Sequence, residues 1–123
     1  MTTTSKKKIL ILCRKAPYGN SLARAAFDIA MAASAFEQEL AIVFIGDGVF
    51  QLLDDQNSEH IEQKHHGKLL SALSLYDIDD LYAEKEAFET RNIDTEKLIV
   101  STTLLTQEEL KNIFEQYDTI LSF

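Results

Sequence analysis

The chain holds a single cysteine, Cys13, so it can form no internal disulfide and offers no cysteine pair for zinc. Basic residues are also scarce. Twelve Lys and Arg stand against 20 Asp and Glu, and the resulting net charge of −8 argues against autonomous binding to a phosphate backbone. Lys6, Lys7 and Lys8 read as a solvated lead-in to a first strand rather than a nucleic-acid patch. No apolar run reaches membrane-spanning length, since the longest, Leu22 to Phe36, is interrupted by Arg24 and Asp28. Ile9 to Cys13 is too brief for a signal-peptide core and meets Arg14 and Lys15 at once, so a cytoplasmic chain without membrane contact is expected. Repeats, low-complexity stretches and linkers are missing too. The 123 residues are read as one domain over residues 7–123, preceded by a polar tail over residues 1–6.

What is present is an alternation of two patterns. Ile9-Leu10-Ile11-Leu12-Cys13 and Leu40-Ala41-Ile42-Val43-Phe44-Ile45 are continuous apolar runs, which suit strands buried on both faces of a parallel sheet. Leu98 to Ser101 and Thr119 to Phe123 are shorter versions, and Ile78 to Ala83 is a weaker fifth candidate. Between them lie helical patterns. Thr106-Gln107-Glu108-Glu109 is a capping box, followed by Leu110, Ile113, Phe114 and Tyr117 at helical spacing. Leu69, Leu70, Leu73 and Tyr76 form a similar stripe in a helix expected from about Ser58 to Leu75. The expected fold is α/β: a single three-layer domain whose mostly parallel, about five-stranded sheet is flanked by helices.

The helix expected from about Ser21 to Phe36 is apolar nearly all round. Two readings stand: a helix buried on two faces, as Phe27, Met31 and Phe36 suggest, or an alanine-rich helix that tolerates exposure. Arg24 and Asp28 sit four apart and can pair on its surface. After the second strand, Gly46-Asp47-Gly48 permits a sharp turn into Val49, Phe50, Leu52 and Leu53. These four are read as an apolar surface just past the strand end, where α/β proteins place their crevice.

Candidate chemistry is thin. The loop Cys13-Arg14-Lys15-Ala16-Pro17-Tyr18-Gly19-Asn20-Ser21 follows a strand and precedes a helix, where phosphates bind, yet it lacks the repeated glycines of the nucleotide fingerprints. Arg14 and Lys15 read as solvated charges. Asp47 as a phospho-acceptor would need carboxylates at the first strand's end, and none is there. Cys13 is a candidate sulfur carrier if Arg14 and Lys15 lower its pKa, but it closes an apolar run, where a buried inert thiol is the plainer reading. His60, His65 and His66 read as surface residues, and Asp77, Asp79 and Asp80 as a solvated turn. No cofactor and no metal are expected.

Five segments in order carry a resemblance: Lys8 to Leu12, Ala16-Pro17-Tyr18-Gly19, Phe44 to Leu53, Leu75-Tyr76-Asp77-Ile78, and Tyr117 to Phe123. Through them the chain resembles the TusC/DsrF branch of the DsrE/DsrF-like family. The resemblance implies a subunit of a sulfur-relay complex of TusBCD or DsrEFH type. Such a subunit assembles with TusD/DsrE-like and TusB/DsrH-like homologues and serves tRNA 2-thiouridine formation or sulfur oxidation. It implies tRNA contact that is at most indirect, and leaves open whether the chain self-associates when partners are missing. In that family the sulfur-carrying cysteine belongs chiefly to the TusD/DsrE-like partner, just after the third strand. The register places Glu84 there, and a carboxylate cannot carry a persulfide. A subunit that is not catalytic alone is therefore expected, with Phe27, Met31, Phe36, Val49, Phe50, Leu52 and Leu53 as interface candidates. The alternatives are a sulfurtransferase acting through Cys13 and a small nucleotide- or flavin-binding module.

Overall fold

The computed structural model describes residues 8–16, 22–36, 38–53, 68–96 and 98–123. The tail over residues 1–6, the loop at 17–21, the segment holding His60, His65 and His66, and the start of the helix expected from Ser58 lie outside the described residues.

Five parallel strands form one sheet in the order β4-β3-β2-β1-β5. They are β1 (Lys8–Cys13), β2 (Glu39–Phe44), β3 (Leu81–Glu84), β4 (Thr103–Leu105) and β5 (Thr119–Ser122). The apolar runs become strands because both faces of the sheet are covered. Ile9, Ile11 and Cys13 of β1 point toward one face with Leu40, Ile42 and Phe44 of β2, and there they meet Ala26, Phe27 and Ala30 of α1 (Leu22–Ser34). Leu10, Leu12, Ala41 and Val43 point to the other face, under Leu110, Ile113 and Phe114 of α3 (Gln107–Gln116). This is the expected three-layer arrangement, held chiefly by burial of aliphatic and aromatic side chains. Truncating fully buried Phe44 to alanine would cost about 3–5 kcal/mol.

Three local expectations are corrected. The run Leu98 to Ser101 is not a strand. Leu98 makes one isolated antiparallel bridge to Leu53, and the Ile99 N–H donates to the Leu52 carbonyl (2.8 Å), so this segment straps the chain beyond β2. The fourth strand is instead the short edge Thr103–Leu105, which runs straight into the capping box. The helix expected to reach Leu75 is α-helical only over residues 68–71 of its described part. It then tightens into a 3₁₀ turn, Leu73–Tyr76, ended by Asp77 in the left-handed region (φ 60°). Third, the chain after Gly46 is a 3₁₀ helix, Gly46–Leu52, rather than a surface ledge.

Helix α1 buries one face only, because one sheet lies beneath it. Arg24 and Asp28 pair on its outside at 3.4 Å. Among the described residues, no helix is long and apolar enough to cross a membrane.

Candidate functional site

In an open parallel sheet the functional crevice lies beyond the carboxyl ends of the strands, where the strand order reverses. Here the reversal falls between β1 and β5. At this end β1 is tied to both of its neighbours. The Arg14 N–H donates to the Phe123 carbonyl (2.9 Å), and the Ile45 N–H to the Cys13 carbonyl (3.0 Å). The 3₁₀ helix then lays Gly48 directly on Cys13. A Cβ at position 48 would stand 2.0 Å from the Cys13 carbonyl oxygen, so the approach is open to glycine alone. Gln51, a buried polar residue within the apolar run, completes the seal by donating its amide to the Lys15 carbonyl (2.7 Å).

Cys13 ends up beneath this cover, 3% exposed. Burial pushes its thiol from the ordinary value near 9 up to about 12. The neutral thiol dominates at physiological pH, and it is the thiolate that attacks sulfur. Arg14 and Lys15 stand exposed and do not offset the burial.

Beyond β2 and β3 lies a polar network. Glu84, half-buried, ends β3 and stands at the N-cap position of α2 (Lys85–Thr90), where its side chain makes no capping bond. Its Oε1 accepts the Gly46 N–H at 3.0 Å, and its Oε2 accepts the Gln107 side-chain amide at 2.7 Å. The same amide nitrogen reaches Glu86 Oε2 at 3.0 Å. Gly46 holds φ +51°, a left-handed conformation that suits glycine. Arg91, just past α2, grips Asp47 Oδ1 through Nη2 (3.0 Å) and Nε (3.2 Å), while its Nη1 donates to the Ala87 carbonyl (3.2 Å). An ionised carboxylate only accepts hydrogen bonds. Fixed by two donors, Glu84 ties the turn after β2 to the starts of α2 and α3; with no sulfur atom, it cannot form the S–S bond of a persulfide.

The expected surface residues divide. Phe27, Val49 and Leu52, expected as interface candidates, are buried within the chain's own core, which corrects the reading of Val49 and Leu52 as an apolar surface. Phe27 faces the sheet, and Val49 and Leu52 turn inward because the 3₁₀ helix folds back over β1. Met31, Phe50 and Leu53 are half-buried. Phe36 is 75% exposed. Sequence reasoning missed Leu22 and Ile29, both exposed, which continue the outer stripe of α1 toward Phe36. Their spacing of seven residues was the available clue. It also missed Gln107 as a partner of Glu84.

Together the sheet order and the covering helices define a three-layer α/β domain with an all-parallel five-stranded sheet. The sequence matches the model of the DsrE/DsrF-like family over residues 7–123, and the chain belongs to that family. A TusC homolog of Pseudomonas aeruginosa is 32% identical over 116 residues, covering 94% of this chain and 98% of the relative. The intracellular sulfur oxidation protein DsrF of Allochromatium vinosum is 32% identical over 115 residues, with 92% and 85% covered. Among solved structures, the ychN protein from E. coli superposes with a TM-score of 0.79 over 95% of this chain and 99% of that one. At 24% identity it speaks for the fold alone.

Proposed function

We propose that this chain is a non-catalytic structural subunit of a cytoplasmic sulfur-relay complex of TusBCD or DsrEFH type. In this reading it holds TusD/DsrE-like and TusB/DsrH-like homologues in position while the cysteine-bearing homologue passes persulfide sulfur toward tRNA 2-thiouridine formation or sulfur oxidation. One juxtaposition supports the reading most. The sole thiol is buried with its pKa pushed up to about 12, while Glu84, the last residue of β3 and the residue that the expected register sets against the family's active cysteine, is a hydrogen-bonded carboxylate. The relatives named TusC and DsrF agree with it.

The outer stripe of α1, Leu22 and Ile29, with Phe36 just past the helix end, is the surface this role would use, with Met31, Phe50 and Leu53 as partly covered contributors. Permanent interfaces of this kind bury on the order of 2,000 Å² or more and resemble a domain core.

The test is a reconstituted complex carrying Cys13→Ser. Sulfur transfer from a persulfide donor should proceed at the wild-type rate, with label on the partner's cysteine and none on this chain. Loss of transfer in an assembled, folded Cys13→Ser complex would sink the proposal and install Cys13 as a carrier.

A further inference from the structure

The outward face of α1 combines two patterns, one of size and one of charge. Leu22 and Ile29 are 39% and 40% exposed, Ala32 is exposed and Ala25 half-buried. At 3.6 residues per turn these four fall in one stripe, large and small side chains in alternation, with Phe36 just past the helix end. Along one side of the stripe stand the only charges of α1, Arg24 and Asp28, one of each sign. Their side chains are 63% and 64% exposed. Their contact within the helix, Arg24 Nε to Asp28 Oδ1 at 3.4 Å, engages one N–H of a guanidinium that carries five.

Both patterns are self-complementary across a two-fold axis. With two copies of α1 antiparallel, Leu22 lies opposite Ala32 of the second copy and Ile29 opposite its Ala25, so each large side chain meets a small one. An axis perpendicular to both helices keeps the charged side of one copy beside the charged side of the other. Because the helices run in opposite directions, Arg24 then stands within about 3 Å of axial rise of Asp28 of the second copy, twice over. The chain's net charge of −8 opposes self-contact in general. Charges beyond about 8 Å are screened at physiological salt, however, and α1 itself adds none net. Resting on the reading of this stripe as an assembly surface, we propose that its occupant in the absence of homologous subunits is a second copy of this chain, packed antiparallel, α1 on α1. A single helix pair of this length falls short of the roughly 1,600 Å² of a standard interface. The dimer is therefore weak, with a Kd on the order of 0.1 mM, and gives way to a homologous subunit.

Sedimentation equilibrium of the isolated full chain at concentrations up to about ten times that Kd reads the dimer, and exchange of charges reads where it forms. Arg24→Asp leaves two carboxylates beside the stripe and Asp28→Arg two guanidinium groups. Each variant alone should dimerise about tenfold more weakly than wild type. Mixed in equal amounts, the two should form a heterodimer at least as tight as the wild-type dimer, and the double exchange R24D/D28R should restore self-association. Both positions are exposed, so each variant is expected to fold, which its melting temperature checks. An effect confined to the helix's own stability would not make the two single variants seek each other. A chain that stays monomeric throughout overturns the proposal, as does a dimer that Arg24→Asp leaves intact or a mixture without heterodimers. Those results leave the sulfur-relay reading standing, whose own failure shows differently, as a wild-type chain that does not co-purify with homologous subunits.

Discussion

At the scale of single residues, the two glycines after β2 do different work, and their substitutions should separate. At Gly48 the obstacle is space: an added Cβ would lie 2.0 Å from the Cys13 carbonyl oxygen and 2.7 Å from its carbon, both backbone atoms that cannot rotate away. Either β1 or the 3₁₀ helix must shift, and both are wedged in the core. Gly48→Ala should therefore lower stability by roughly 3 kcal/mol or more, at the upper end of overpacking effects. At Gly46 there is room, the nearest atom being Arg91 Nη2 at 3.9 Å, and only the φ of +51° opposes a side chain. Gly46→Ala should cost about 1 kcal/mol. Urea denaturation of the two variants checks the ranking; equal losses would mean that the contact with Cys13 yields easily and does not seal the strand end.

Secondary-structure elements show how far the sequence could be read. The capping box was visible as Thr106 and Glu109 three apart, and both reciprocal bonds form: Glu109 N–H to Thr106 Oγ1 at 3.3 Å, Thr106 N–H to Glu109 Oε1 at 3.0 Å. Thr106→Ala should remove about 1 kcal/mol from the thermal stability of the domain. The Thr106 backbone N–H, then its hydroxyl, hold the Glu109 carboxyl below its usual range. A depressed carboxylate contributes stability above its unfolded pKa and loses it as pH falls through the folded one. The stability that Glu109→Ala loses relative to wild type should accordingly shrink below about pH 4. Strands β1 and β2 were equally plain, because burial on both faces leaves an unbroken apolar run. The fourth strand was misplaced for the same reason: Leu98 to Val100 are apolar since they strap the 3₁₀ helix, and apolarity alone does not distinguish a strap from a strand. The candidate site was less legible still. Glu84 was singled out only through the resemblance, and its partners Gly46 and Gln107 lie 38 and 23 residues away and carry no shared spacing. Nor could the inward turn of Val49 and Leu52 be seen, since it depends on a glycine resting on a distant carbonyl.

For the molecule as a whole, the question is which apolar surface remains after folding, and helix α1 carries part of it. Phe27 and Ile29 are two residues apart and equally apolar, yet Phe27 faces the sheet at 6% exposed while Ile29 faces outward at 40%. A charge at each should fail differently. Phe27→Asp places a carboxylate in the core without a partner and should unfold the isolated chain, because such burial costs several kcal/mol out of a total stability of about 5–15 kcal/mol. Ile29→Asp and Phe36→Asp put the same charge in water and should leave the melting temperature of the isolated chain nearly unchanged. Were the outer stripe of α1 the assembly surface, these two would still weaken co-purification with TusD/DsrE-like and TusB/DsrH-like partners, since an unpaired charge in a closed contact carries a penalty of about 2–5 kcal/mol. A folded Ile29→Asp/Phe36→Asp double variant that assembles as wild type would move the interface off α1. The half-buried pair Phe50 and Leu53, at the sheet's carboxyl end, would then be the next surface to charge.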